Sequence, residues 1–501
     1  MHDNNGATTQ SRTGEVLLRG GTVCDPGSGF SGTADVLVRD GKVAALGADL
    51  AVAADIPVLD VSAMIVGPGF IDLHSHVNSV AGQRLQAFDG VTTALELEAG
   101  APDIEQTYRA AAQDGRPLNY GYSASWAAVR YAAHLGTPPH DLLGVLGAPE
   151  WQRSSSDLER RTWLDLLEKE LAAGGLGVGI LLGYAPRTDP AEFLAVARLA
   201  AQAGAPTFTH VRELVESDPT TPIDGSTEIA VAAAETGAAM HHCHVNSTSR
   251  RHIDRVLSTL DTARASGSKV TVEAYPYAAG STAIGAFFLA PERLSRWGVG
   301  PSDIVLVDTG ERIADAARLA AVREADPGAP CIIHYLDETS AADIALLRNS
   351  LAFEDSIVAS DAMFVTWADG SRESLHWPLP PNGRTHPRTS GTYAKSLRLM
   401  VRESGAWTWL EAFRRCSYLP ARVLDTICPT IRPKGHLGIG ADADIVVIDP
   451  ATVTDRATYA DPTRTSQGIR HLMVNGTFVI RDNTLRTDAF PGRPLRASPL
   501  A

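Results

Sequence analysis

Between about residue 69 and residue 429 the chain repeats one unit: a short apolar run that reads as a strand, then an alanine-rich run with helical spacing. Residues 193–203 are helical in pattern and precede the strand 206–210, and residues 228–236 are helical and precede 238–244. Strands alternating with helices imply parallel pairing with crossover helices. A (β/α)8 barrel, at about 250 residues or more, is the commonest closed solution. Residues 284–330 interrupt the alternation with Pro, Gly and a Trp. They are read as a lid, because long insertions in barrels usually sit beside the active site.

Both chain ends have a different grammar. Asp40-Gly41 lies between two apolar runs, residues 444–449 (DIVVID) read as a strand, and 472–479 read as a hairpin around Asn475-Gly476. Asp-Gly and Asn-Gly between apolar runs are strong hairpin signals. The ends are therefore β-rich and bracket the α/β middle. Residues 1–14 are polar, lack the apolar core of a secretory signal, and are expected to be a disordered leader.

Composition removes several functions. The net charge is -14 and there is no run of Lys or Arg, so no nucleic-acid partner is expected. No apolar run approaches about 18 residues, so no membrane span is expected. The five cysteines are scattered and form no C-x-x-C pair, which argues against a disulfide framework or a cysteine zinc site. A cytoplasmic protein is the resulting expectation.

The chemistry concentrates at strand ends. Residues 67–76 read GPGFIDLHSH, placing His74 and His76 at i, i+2. In a strand that spacing points both imidazoles to one face, and two neutral imidazoles suit zinc or a similar divalent ion. The next strand, 90–100, reads GVTTALELEAG. Alternation puts Val91, Thr93, Leu95 and Leu97 on one face, and Thr92, Ala94, Glu96 and Glu98 on the other. The apolar set is expected against the helices, so both carboxylates would enter the barrel. Glu98, nearer the C-terminal end where barrel active sites sit, is the expected metal ligand, with Glu96 as competitor.

Two later strands end in His210 and in His241-His242-Cys243-His244; His210 and His244 are the expected ligands. Cys243 is expected to point away from its histidine neighbours, into packing. A further strand, 356–361, ends in Asp361, which could bind metal and accept a proton from water, although Asp also caps helices.

In the order H-x-H, acidic ligand, His, His, Asp, the chain resembles the amidohydrolase superfamily. Within it, the chain is similar to the N-acyl-D-amino-acid deacylase (D-aminoacylase) group. The matching pieces are 67–76, Gly90-Val91-Thr92-Thr93, Thr209-His210-Val211-Arg212, Tyr275-Pro276-Tyr277 with Ser281, Ala359-Ser360-Asp361, His386-Pro387-Arg388 with Gly391-Thr392, 438–449 and 491–496.

The resemblance covers nearly the whole chain. It implies a barrel over 69–429, a small β-sandwich composed of 15–68 and 430–482, and a C-terminal tail over 483–501. It implies one or two zinc ions, or another divalent metal, held by His74, His76, His210, His244 and an acidic or thiolate bridge, with Asp361 as general base. The chain departs from the family at Ala99 and at Ser125-Trp126. Ala99 stands where the family has a zinc-binding cysteine, with Glu98 the nearest replacement. Residues 177–184 contain no lysine, which argues against the carboxylated-lysine bridge of hydantoinases. Ser125-Trp126 replaces a Gly-His after the third strand.

The expected activity is hydrolysis of the amide bond of a small N-acylated amino acid, acylated on the α-nitrogen of a D-amino acid or on a side-chain amine such as that of lysine. Arg212 and Arg388 are candidates to clamp its carboxylate, with Tyr275 and Ser281 also placed at the substrate. A cyclic-amide hydrolase or deaminase on the same scaffold, and a metal-free scaffold protein, are the alternatives. A homo-oligomer is left open.

Overall fold

The computed structural model describes residues 14–139 and 141–498. The expected leader, 1–14, falls outside them except for Gly14. The middle of the chain forms an eight-stranded parallel sheet: β1 (Phe70–Asp72), β2 (Val91–Ala101), β3 (Asn119–Ser125), β4 (Val178–Leu181), β5 (Thr207–His210), β6 (Met240–His242), β7 (Val270–Ala274) and β8 (Ile357–Val358). Helices follow the strands with clear start signals. Ser156 and Glu159 cap the helix Asp157–Ala172 reciprocally, and Asp224 caps Gly225–Thr236, which ends at left-handed Gly237. The sheet closes beyond the ends of its first and last strands. Ser360 N donates to Asp72 Oδ1 at 3.0 Å, and His76 N donates to Ala362 O at 2.8 Å. The architecture is a (β/α)8 barrel.

Both chain ends combine in a second, nine-stranded sheet. Ile445–Ile448 lies antiparallel to Ile65–Pro68, which in turn pairs with Glu15–Asp25. Val16, Leu18, Val36, Val38, Val66, Ile445, Val447 and Met473 share one core there. Residues read as a C-terminal tail carry structure. Thr484–Leu485 extends this sheet, and Leu495 N donates to Tyr120 O at 2.8 Å. β4 pairs with β3 only at Ala124 and Ser125, so the Tyr120 carbonyl is left to Leu495.

Strand β2 corrects the parity argument. Phe70 pairs with Val91 but Ile71 pairs with Thr93, so Thr92 is an extra residue. An inserted residue reverses the faces of everything after it. Leu95 and Leu97 accordingly share a core with Ile71, Phe208 and Ile357 from β1, β5 and β8, and with Leu495. Side chains from strands that far apart meet in the barrel interior. Ala94, expected inside, joins the cluster that includes helix residues Ala87 and Phe88. Cys243 also belongs to the interior cluster.

The 284–330 excursion is folded. Ala279–Ala283, Pro330–His334 and Ile304–Leu306 form a three-stranded antiparallel sheet, with the helix Ala316–Ala325 between the last two in sequence. No helix among the described residues is long and apolar enough to cross a membrane. All five cysteines are free and buried.

Candidate metal centre

The C-terminal mouth of the barrel gathers His74, His76, Glu98, His210, His244 and Asp361. Their side chains do not all reach it by strand alternation. His210 follows Phe208 on the inward face of β5 by simple alternation. Glu98 enters because the pairing of β2 with β3 breaks between Glu96 and Ala101. His244 and Asp361 turn inward from strand ends with left-handed backbones, at φ 30° and 50°. Such backbones cost about 1–3 kcal/mol each and persist where the surroundings over-determine them.

Four donor atoms form a compact set. His74 Nε2 lies 3.2 Å from His76 Nε2, 3.2 Å from Glu98 Oε2 and 3.4 Å from Asp361 Oδ1. His76 Nε2 lies 3.4 Å from Asp361 Oδ1 and 3.8 Å from Glu98 Oε2. Ligands about 2.1 Å from a tetrahedral zinc stand about 3.4 Å apart, so this set fits the ion. The other oxygen of Glu98 faces a second pair: Oε1 lies 3.2 Å from His210 Nδ1 and 2.8 Å from His244 Nε2. One carboxylate thus presents an oxygen to each of two donor groups, as a bridge between two ions would. Burial alone would raise the Glu98 carboxyl, but His74 and His244 outweigh it and hold it well below the usual carboxylate range.

Glu96, the competitor, has another task. Its Oε2 lies 2.8 Å from His76 Nδ1, where it orients that ring from behind. Strand parity gave no signal for this role.

The centre opens into a cavity of ≈ 540 Å³ lined by leucines 142, 143 and 146, Phe288 and Trp297 as well as the donor residues. The excursion supplies Phe288 and Trp297 to that wall. Phe288 stacks on Trp297 at 5.1 Å, and Trp297 Nε1 donates to Glu213 at 3.1 Å. Tyr275 and Ser281 also line the cavity, and their hydroxyls are buried without a protein hydrogen-bond partner. Arg388 is fully buried. Its Nη2 lies 2.8 Å from Asp361 Oδ1 as an ion pair, yet no guanidinium N–H aligns on an acceptor. Unpaired buried donors of this kind mark a place for an anionic group.

Arg212 is not brought to the cavity. Its Nε and Nη2 bind Glu228 at 2.9 and 3.0 Å, and Nη1 donates to Pro186 O at 2.5 Å. The pairing is bidentate and fully buried, so the expectation that Arg212 clamps substrate is corrected: it ties β5 to the following helix.

No family model matches the chain. It is 30% identical to the N-acyl-D-glutamate deacylase of Alcaligenes xylosoxydans xylosoxydans over 456 residues, covering 84% of this chain and 84% of that protein. It is 28% identical to the D-aminoacylase of the same organism over 516 residues, covering 97% of this chain and 98% of that one. The structure superposes with a TM-score of 0.75 on the N-acyl-D-glutamate deacylase of Bordetella bronchiseptica, solved with zinc and a phosphonate inhibitor that mimics the tetrahedral intermediate. That alignment has 27% identity and covers 96% of this chain and 99% of the other. Barrel, composite sheet, donor set and these relatives agree, and the chain belongs to the N-acyl-D-amino-acid deacylase (D-aminoacylase) family of the amidohydrolase superfamily.

Proposed function

We propose that this chain is a zinc-dependent hydrolase of N-acylated amino acids, with His74, His76, Glu98, His210, His244 and Asp361 holding one or two ions. The observation that carries the reading is the set of donor atoms around His74 Nε2 and His76 Nε2, whose separations from those two nitrogens, 3.2–3.8 Å, are close to the edge of a zinc tetrahedron. Zinc bound there supplies a water made acidic enough to ionise near neutral pH and polarisation of the amide carbonyl.

The remaining steps belong to the protein. Asp361 is held ionised: burial opposes this, but Arg388 and His74 outweigh it and keep the carboxyl below its usual range. It accepts the proton of the attacking water and returns it to the leaving amine. Arg388, with the unpartnered Tyr275 and Ser281 hydroxyls, holds the substrate carboxylate. The apolar wall of Phe288 and Trp297 excludes water from the reacting bond. Residues 177–184 contain no lysine, which favours the deacylase reading over a carboxylated-lysine ring opener.

Five free, buried cysteines support a reducing, cytoplasmic compartment.

The deciding experiment measures zinc content and turnover together, on N-acyl D- and L-amino acids, Nε-acyl-lysine and a cyclic amide. Release of amino acid from an N-acyl substrate, lost on chelation and restored by zinc, is the expected result. Turnover of the cyclic amide alone, or turnover indifferent to chelation, overturns the proposal.

A further inference from the structure

Glu273 lies on β7, is fully buried, and is not part of the donor set described above. Its Oε1 accepts from His74 Nδ1 at 2.5 Å and from the backbone N of His244 at 3.2 Å. Its Oε2 lies 3.0 Å from His241 Nε2, and His241 Nδ1 lies 2.8 Å from Thr271 Oγ1. His74, Cys243 and Glu273 come within ligand reach of one another. The 2.5 Å separation nevertheless leaves no room for an ion between His74 and Glu273, since two ligands of one tetrahedral zinc stand about 3.4 Å apart. This group is a hydrogen-bonded joint rather than a further metal position.

The joint touches both halves of the centre. A carboxylate only accepts hydrogen bonds, so the contact places the His74 proton on Nδ1. In the neutral ring that binding an ion requires, Nε2 is left with its lone pair on the side of Glu98 and Asp361. His244 belongs to the other half, and its left-handed backbone at φ 30° is the device that turns its ring inward. Glu273 binds the N–H of that same residue. His241, on the far oxygen, stops the carboxylate from rotating away.

We propose that Glu273 is a positioning residue that sets the His74 tautomer and the His244 backbone together, and so prepares both halves of the centre for zinc. The inference rests on the reading of His74 and His244 as ligands.

The test compares wild type, Glu273→Gln, His74→Asn and His244→Asn, each stripped and titrated with zinc against a chromophoric chelator. The visible spectra of the cobalt-loaded forms are recorded beside them. Glutamine keeps the size but loses one acceptor and the charge. Zinc affinity in Glu273→Gln is expected to fall about 10–100-fold, the usual effect of removing such a partner, and the cobalt bands to shift. Wild-type affinity with an unchanged cobalt spectrum in Glu273→Gln overturns the inference. If Glu273→Gln does not fold, Glu273→Asp, which keeps the charge and shortens the reach, is read by the same two outcomes. If wild type binds no zinc, or His74→Asn and His244→Asn bind it as wild type does, the ligand reading itself fails and takes this inference with it.

Discussion

Arg388 Nη2 lies 2.8 Å from Asp361 Oδ1, with both side chains buried and Asp361 lining the cavity. The pair joins the proposed carboxylate clamp to the proposed proton carrier. Arg388→Met removes the clamp, and a hydrogen bond to a charged group contributes about 1.5–3 kcal/mol. kcat/KM on an N-acyl amino acid is expected to fall about tenfold to a hundredfold. The neutral amide of the same substrate serves as control: an equal proportional loss on it would show that Arg388 does not bind the carboxylate.

Glu98 and Glu96 separate by position. Glu98 faces both histidine pairs, whereas Glu96 supports the back of His76. Glu98→Ala is expected to lose zinc and turnover together. Glu96→Gln is expected to retain turnover at saturating zinc while binding the ion about 10–100-fold less tightly. Elemental analysis and chelator competition on the two variants check this, and a Glu98→Ala protein with full zinc content would remove the bridge from the centre.

Arg212 offers the opposite test. Its partner Glu228 is buried with it, so Arg212→Met leaves a buried carboxylate unpaired. Breaking a buried pair from one side costs about 3–5 kcal/mol. Denaturant unfolding should show that loss, while KM for the N-acyl substrate stays at the wild-type value; a raised KM in a fully stable variant would return Arg212 to the substrate site.

Lys434 is buried, with Nζ 2.7 Å from Asp444 Oδ2 and 2.8 Å from Asp442 Oδ2. Lys434→Met is expected to lower stability by about 3–5 kcal/mol at neutral pH. Burial would raise the Asp442 carboxyl, but Lys434, together with Lys42 on the other oxygen, outweighs it and holds the group below its usual range. A depressed carboxyl stabilises the fold above its unfolded value of about 3.9, and that contribution fades as pH falls through the lower folded value. The stability gap between wild type and Lys434→Met should therefore narrow below about pH 4. A gap that is constant from pH 7 to pH 3 would mean that packing, not charge, accounts for the loss.

The sequence by itself determined the barrel and the identity of the donor set. Strand–helix alternation is a local pattern, and His74, His76, Glu98, His210, His244 and Asp361 each sit at the end of an apolar run, where a barrel strand meets its mouth. Which way those side chains point was decided elsewhere. Counting alternate residues placed Leu95 and Leu97 outside; the extra residue at Thr92 puts them inside. Glu98 reaches the centre through a break in pairing, His244 and Asp361 through left-handed backbones, and His210 by alternation. The two arginines looked alike in sequence, but one is paired with Glu228 and the other is left with unsatisfied donors beside Asp361. Nothing in the sequence singled out Glu273, whose contacts with His74 and His244 appear only in the fold. Alternation holds only while a ladder is unbroken, so a single inserted residue inverts every face beyond it. Charge pairing joins residues distant in the chain, and folding alone settles which partner each buried charge receives.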